Sequence, residues 1–183
     1  MTGLRRRGAL TILATAALLG AALAGCASGV PSGATFPPVG STTAPAGDAN
    51  AAAKAAILAA LAVEGLQATD ANVAYRPAEG ARFAAAPRTV LQVTLPTDPS
   101  GGYIVLYALG SPAAALEAAT DQAAYIATGP GRVQFMLDTR YTLRVLGSTA
   151  IFFNWSPANS PDPQTPSIDL ALSQVGTEVP IPN

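Results

Sequence analysis

Beyond residue 48, apolar residues recur either at the spacing of a helix or at the spacing of a strand. In "DANAAAKAAILAALAVEG" the isoleucine and both leucines follow helical spacing. Asp48 or Asn50 can cap the start of this segment, and Gly65 is a natural residue at its end. The pattern predicts a first helix.

The segment "TVLQVTLPTDPSGGYIVLYALG" changes to strand spacing. Leu91, Val93 and Leu95 alternate with polar residues, which predicts a strand with one buried face. Residues 103–109 are apolar on both faces, as in a central strand. Residues 96–102, rich in proline and glycine, predict the turn of a hairpin.

A second helix follows in "GSPAAALEAATDQAAYIATGPG". Ser111 is its expected N-cap, Pro112 its first residue, and Gly129-Pro130 its terminator. Three further strands are predicted, at 132–137, 141–146 and 149–155.

The remaining pattern completes the fold class. A proline-rich loop over 156–166 precedes "SIDLALSQVG", which has the spacing of a short third helix, and an extra strand is possible near 72–75. We therefore expect one α+β domain over 49–183, with an antiparallel sheet of about five to six strands and two or three packed helices.

The two-residue turn Gly147-Ser148 predicts the pairing of the last two strands. Leu146 then lies opposite Thr149 and Leu143 opposite Phe152. Directly opposed residues share a face, which places one group of side chains together on the second face: Thr142, Arg144, Ile151, Phe153 and Trp155.

Three interpretations of this second face stay open. The C-terminal helix can fold over it, because that helix has an apolar stripe to bury. Alternatively, Ile151, Phe153, Trp155 and Arg144 line a surface for a lipid, an apolar small molecule or a partner peptide. A three-residue turn would shift the register and remove the question.

The N-terminus, "MTGLRRRGALTILATAALLGAALAGC", has a different organisation. Three arginines precede an apolar run that ends in small residues, which is the plan of an export signal over 1–25. The junction Leu23-Ala24-Gly25-Cys26 resembles the lipobox of bacterial lipoproteins. That resemblance implies a diacylglyceryl group on the Cys26 thiol and cleavage just before it by the lipoprotein signal peptidase.

Other interpretations of this segment are an uncleaved membrane helix and a small buried cysteine. The "RRRGAL" stretch also fits a degenerate twin-arginine signal. Ordinary secretion is favoured because the polar residue usual before the arginine pair is replaced by Leu4 or Arg5.

Residues 26–48 are dense in glycine, proline, serine and threonine and are nearly free of charge. Such a composition predicts a flexible tether between the lipid and the domain. Beyond the three arginines of the signal, seven basic residues remain against eleven acidic ones, a balance of −4. No basic surface of the kind that nucleic acid needs is expected.

The chain has no histidine and one cysteine, which excludes histidine-based nucleophile systems, internal disulfides and multi-thiolate zinc sites. A serine-lysine dyad would depend on Lys54, the only lysine. Paired-carboxylate hydrolysis remains open, and its candidates are Glu79, Asp98, Glu117, Asp121, Asp138, Asp162 and Asp169. The segments "PTDPSGG" and "SPDPQTPSID" hold too few oxygen ligands for a calcium loop.

Three arginines flank the segment "RPAEGARFAAAPR", which has the composition of a loop. Arg76, Arg82 and Arg88 either gather an anion or a partner's carboxylate, or lie on the surface with their apolar stems packed on the domain.

We therefore expect a lipid-anchored protein on the outer side of a cell membrane, with no cofactor or metal, whose domain binds a ligand or partner without catalysis. An accessory subunit of an envelope complex and a carboxylate-dependent hydrolase are the alternatives.

Overall fold

A computed structural model describes residues 46–182. It contains five helices: α1 (Ala46–Val63), α2 (Ala81–Ala85), α3 (Pro112–Ala127), α4 (Gly129–Arg132) and α5 (Thr165–Ser173). It contains six strands: β1 (Ala68–Asp70), β2 (Arg88–Val93), β3 (Tyr103–Ala108), β4 (Arg140–Leu146), β5 (Thr149–Trp155) and β6 (Thr177–Glu178). No helix in this range is long and apolar enough to cross a membrane.

The strands form one sheet in the order β1-β2-β3-β5-β4-β6, in which every neighbouring pair is antiparallel. The predicted α+β class, with five to six strands, is confirmed. In the β4–β5 hairpin Leu146 pairs with Thr149 and Leu143 with Phe152, so the predicted register is confirmed as well.

Helices cover both faces of the sheet. On one face α1 and α5 pack over β3 and β5, and Ile57 and Leu172 share a buried cluster with Phe153. On the other face α2 and α3 bury Phe83 and Ala119 in a second cluster around Phe152. Since β5 is apolar on both faces, it lies near the middle of the sheet, and burial on each side stabilises it.

Local signals explain the ends of α3. The Ser111 hydroxyl accepts the backbone N–H of Ala114 at 3.1 Å, and Pro112 begins the helix, as predicted. The helix ends at Ala127 with Thr128 as its C-cap, and Gly129 and Pro130 then begin α4.

Two predicted strands are wrong. The strand predicted at 132–137 is instead the end of α4 followed by turns, and Val133 and Leu137 are exposed. Gly131 lies so close to the backbone of Tyr125 that a Cβ would approach its carbonyl oxygen to 2.1 Å, so the chain turns tightly here. The strand near 72–75 is absent, because β1 forms earlier and pairs with β2 through Ala68 and Val93.

Four short elements had no prediction: α2, α4, β1 and β6. Helix α2 lies inside the arginine-rich segment interpreted as a loop, where Phe83 anchors it by stacking on Tyr107 with ring centroids 4.1 Å apart. Strand β6 has two residues and is too short to give an alternating pattern.

Candidate binding groove

The groove follows the outer edge of β4. A two-residue turn makes Leu146 and Thr149 a hydrogen-bonded pair, and hydrogen-bonded pairs alternate along an antiparallel ladder. The backbone groups of Tyr141, Leu143 and Val145 therefore point away from β5, toward the position of the next strand. Strand β6 occupies only part of that position.

Strand β6 pairs with β4 at Arg144 and Val145 alone. One residue further, the N–H of Val179 donates to the Leu143 carbonyl at 2.9 Å. In the same register Ile181 would face Tyr141, but no backbone hydrogen bond joins these two residues. Among residues 46–182, the N–H and C=O of Tyr141 and the N–H of Leu143 have no backbone partner on this side.

A cavity of about 950 Å³ lies along this edge. Its floor is the run from Thr139 to Arg144. One wall comes from α5, through Asp169 and Leu170, and the other comes from the end of α3 and from Arg132 of α4. The C-terminal residues 178–182 complete the lining.

Two contacts fix the α5 wall to the sheet. The buried Thr142 hydroxyl donates to the Asp169 carboxylate. Arg144 donates from Nε to the Val175 carbonyl at 2.6 Å and from Nη2 to the Gly176 carbonyl at 2.9 Å. Both carbonyls lie just beyond the end of α5, where the helix dipole also favours a cation.

The groove also contains two arginines, Arg132 and Arg140, that form no ion pair with a described carboxylate. Arg132 donates to the Tyr141 hydroxyl and to the Leu137 carbonyl, each at 3.0 Å. Arg140 is exposed, with its guanidinium carbon 5.3 Å from the centre of the Trp155 ring. No described carboxylate lies within 4 Å of either guanidinium. This end of the groove therefore attracts anions.

The predicted surface of Ile151, Phe153, Trp155 and Arg144 divides between the core and this groove. Ile151 and Phe153 are at most 1% exposed under α1 and α5, so they cannot form an open binding surface in this structure. Trp155 and Arg144 are 9% exposed and line the groove. The indole Nε1 of Trp155 is buried and has no hydrogen-bond partner among the described residues.

The arginines of the α2 segment separate in space. Arg76 and Arg88 both donate to the buried Glu79 carboxylate, at 2.6 and 2.7 Å, and Tyr107 donates its hydroxyl at 2.8 Å. Burial first, and then this hydrogen bond to a carboxylate, raise the pKa of Tyr107. Arg82 instead pairs with Glu117 at 3.4 Å and with Asp121 at 2.6 Å, both on α3.

The carboxylates considered for hydrolysis make distinct local contacts. Asp138 accepts from the Ser156 hydroxyl, which lowers its pKa, and from the Ala158 N–H. Buried Asp162 accepts from the Thr97 N–H, the main cause of its lowered pKa. Asp98 accepts from a nearby serine hydroxyl at 3.4 Å. Of the seven candidates, Asp169 lines the groove.

Residues 46–182 contain no group of three or more acidic, cysteine or histidine side chains that could hold a metal ion. Lys54 pairs at 2.6 Å with Asp70 of β1, which is the opposite edge strand of the sheet. The predicted lipidation residue Cys26 and the recognition residues Leu23, Ala24 and Gly25 lie outside the described residues.

Comparison of the chain with protein-family models, with curated proteins and with solved structures gave no match.

Sequence reasoning did not identify Arg132, Arg140 or the outward-facing backbone groups of Tyr141 as parts of a site. Arg132 was predicted to begin a strand over 132–137, and this element, which does not form, would have separated it from Arg140. The position of β4 near the edge of the sheet depends on long-range strand order, which no local pattern encodes.

Proposed function

We propose that this protein is a lipid-anchored, extracytoplasmic binding protein, and that its domain binds a ligand or partner in the groove along β4. The groove carries this proposal. Its volume of about 950 Å³ falls within the roughly 300–1,000 Å³ of ligand sites. Its two arginines without carboxylate partners favour a ligand that has a negative charge.

The proposed anchor rests on the sequence Leu23-Ala24-Gly25-Cys26 after an export signal. Two acyl chains, at about 0.8 kcal/mol for each buried methylene, hold a protein far more firmly than one chain does. The proposed tether, whose last predicted residues 46–48 belong to α1 in this structure, would then keep the groove near the membrane surface. This location suits a protein that presents a ligand or assists an envelope complex.

The contacts of the carboxylates favour binding over hydrolysis. Glu79, Asp138 and Asp162 each accept two or more hydrogen bonds that tie separate segments of the fold together. Asp169 accepts from Thr142, which fixes α5. Acidic side chains used in this way stabilise the fold, and a binding role needs none of them to transfer a proton.

The anchor is tested by mass spectrometry of the mature N-terminus and by membrane extraction at high pH. We expect a diacylated N-terminal Cys26, and we expect Cys26→Ser to leave an unprocessed precursor without lipid. An unmodified Cys26, or a mature start elsewhere, contradicts the anchor.

The binding role is tested by thermal unfolding of the full chain in the presence of an extract of envelope components. A ligand that binds only the folded protein raises the unfolding midpoint by mass action. We expect the extract to raise the midpoint of the wild type and of the control Arg82→Glu, and to raise that of Arg140→Glu much less. Equal shifts for all three proteins would contradict a role of the groove.

A further inference from the structure

We infer that the turn between Arg132 and Arg140 is a second interaction surface, which inserts its apolar side chains into a membrane that contains anionic phospholipid. This surface is additional to the groove. Its contact with a membrane rests on the proposed function, in which a lipid anchor holds the domain close to one.

Apolar side chains are concentrated in this turn. Among residues 46–182, seven large apolar side chains are exposed, and three of them, Val133, Met136 and Leu137, lie within five consecutive residues. Val133 is 80% exposed and Leu137 is 91% exposed. A single exposed apolar residue needs no explanation, but a group of this kind marks a contact surface. We call residues 133–137 the apolar tip.

The other contacts of the turn hold the apolar tip in place. Phe135 is partly buried in the cluster on the α3 face. The Arg132 guanidinium donates to the Leu137 carbonyl at 3.0 Å. The Thr139 N–H donates to the Met136 carbonyl at 3.1 Å. These contacts close the turn at its base, so the fold itself presents the apolar side chains to solvent.

Cations flank the apolar tip on both sides. Arg132 precedes it and Arg140 follows it, and no described carboxylate lies within 4 Å of either guanidinium. The one carboxylate of the turn, that of Asp138, accepts from the Ser156 hydroxyl and the Ala158 N–H just beyond β5. Apolar side chains between arginines match an anionic membrane surface, because the apolar groups enter the acyl boundary while the guanidinium groups bind lipid phosphates.

The shape of the apolar tip favours a membrane over a protein partner. Its exposed side chains protrude, and the described cavities are lined by other residues. A protein partner would have to supply a fitted pocket, whereas acyl chains rearrange around a protruding group. Arg132 and Arg140 also line the groove, so this contact places one end of the groove beside the membrane.

The proposed tether is long enough for this contact. Asn50 of α1 accepts from the Thr149 hydroxyl at the start of β5, whereas Arg140 pairs with Trp155 at the end of β5. The start of the domain and the apolar tip are therefore separated by about the length of β5, roughly 23 Å for its seven residues. About twenty residues lead from Cys26 to α1, and a chain of that length spans at most about 66–72 Å.

The test uses the full chain purified from its producing cells and reconstituted into vesicles of equal parts phosphatidylcholine and phosphatidylglycerol. A benzoylphenylalanine is placed at position 136 in the apolar tip or at position 116 on α3. Met136 and Leu116 are both 53% exposed, so the two positions are matched in exposure. Irradiation joins the benzophenone to a neighbouring C–H bond, and mass spectrometry detects a protein–phospholipid adduct.

We expect an adduct from position 136 and none above background from position 116. With the crosslinker at 136, Leu137→Ser should lower the yield about tenfold, the low end for burying one leucine side chain. Leu116→Ser is the matched control and should leave the yield unchanged. Both leucines are exposed, so either variant should fold.

A second pair of variants tests the charge. Arg140→Gln should lower the yield from position 136 about fivefold, the range for one arginine at an anionic surface. Arg82→Gln on α2 should leave it unchanged. Vesicles of phosphatidylcholine alone should lower the yield of the wild type by at least as much as Arg140→Gln does.

No adduct from position 136, or equal adducts from both positions, would overturn the inference whether or not Cys26 carries lipid. A discrete protein product from position 136 in irradiated cells, without a lipid adduct, would assign the apolar tip to a protein partner and overturn it as well. Mass spectrometry of Cys26 in the same preparation reports the anchor separately. Leu137→Ser should leave the rise of the unfolding midpoint with envelope extract unchanged, so a failure at the apolar tip is distinguishable from a failure of the proposed function.

Discussion

Replacing the buried carboxylate of Glu79 should destabilise the fold strongly. The Glu79 side chain is 2% exposed and accepts from Arg76, Arg88 and Tyr107 at 2.6 to 2.8 Å. Arg76 is 54% exposed, so its pair with Glu79 is worth about 0–1 kcal/mol. Arg88 and Tyr107 are more buried, and a hydrogen bond to a charged group contributes about 1.5–3 kcal/mol.

An amide keeps one acceptor oxygen but turns an N–H₂ group toward the donors, so Glu79→Gln should lower the free energy of unfolding by about 2–4 kcal/mol. The assay is urea unfolding of the full chain, followed by Trp155 fluorescence. Glu117→Gln is the matched control: its carboxylate is 65% exposed and 3.4 Å from Arg82, so the loss should stay below about 1 kcal/mol. A Glu79→Gln variant as stable as the wild type, or more stable, would refute the structural role and favour the catalytic alternative.

Three further predictions test the core, a turn and the response to acid. Phe153→Ala should lower the free energy of unfolding, measured in urea, by about 3–5 kcal/mol because the side chain is 1% exposed. Leu137→Ala, at a side chain that is 91% exposed, should change it by about 0.5 kcal/mol or less. Similar losses for the two variants would contradict the burial of Phe153. Gly176→Ala should destabilise the fold more than Gly147→Ala. Both glycines have a positive φ, at +64° and +57°, but a Cβ at 176 would approach the backbone of β4 to 2.4 Å, whereas the space at 147 is open. The reverse order of stability would contradict this contact. The pKa of Asp162 is lowered in the folded protein, so the stabilisation by its carboxylate is present above the unfolded pKa of about 3.9 and is lost as the pH falls through the folded value. The difference in free energy of unfolding between the wild type and Asp162→Asn should therefore shrink between pH 6 and pH 2. A constant difference would contradict the lowered pKa.

Local chemistry was sufficient to predict the elements with clear boundaries. Ser111 and Pro112 mark the start of α3, and Gly147-Ser148 fixes the register of β4 and β5. These signals act between residues close in sequence, so they need no knowledge of the rest of the fold. Of the three interpretations left open for the second face of the sheet, the structure agrees with the one in which the last helix covers Phe153, because the apolar stripe of that helix is buried there.

The errors arose where two local signals conflicted. Residues 133–137 alternate like a strand, but Gly129, Pro130 and Gly131 before them start a helical turn that leaves Val133 exposed. The groove escaped prediction because it depends on which strand lies near the edge and on where β6 stops. The contacts of Arg144 with the Val175 and Gly176 carbonyls could not be predicted either, because these groups come within reach only after α5 packs on the sheet.

Under the proposed function, the groove beside β4 is the binding surface of the protein in the cell envelope. Its most direct test is site-specific photo-crosslinking in the producing cell, with a benzoylphenylalanine at position 170 or at position 116. Leu170 is on the groove wall and 54% exposed, whereas Leu116 is on α3 away from the groove and 53% exposed, so the two positions are matched in exposure. We expect a discrete product from position 170 in the membrane fraction, lost on Arg140→Glu, and none from position 116. Equal products from both positions, or a product at 170 that persists with Arg140→Glu, would contradict it.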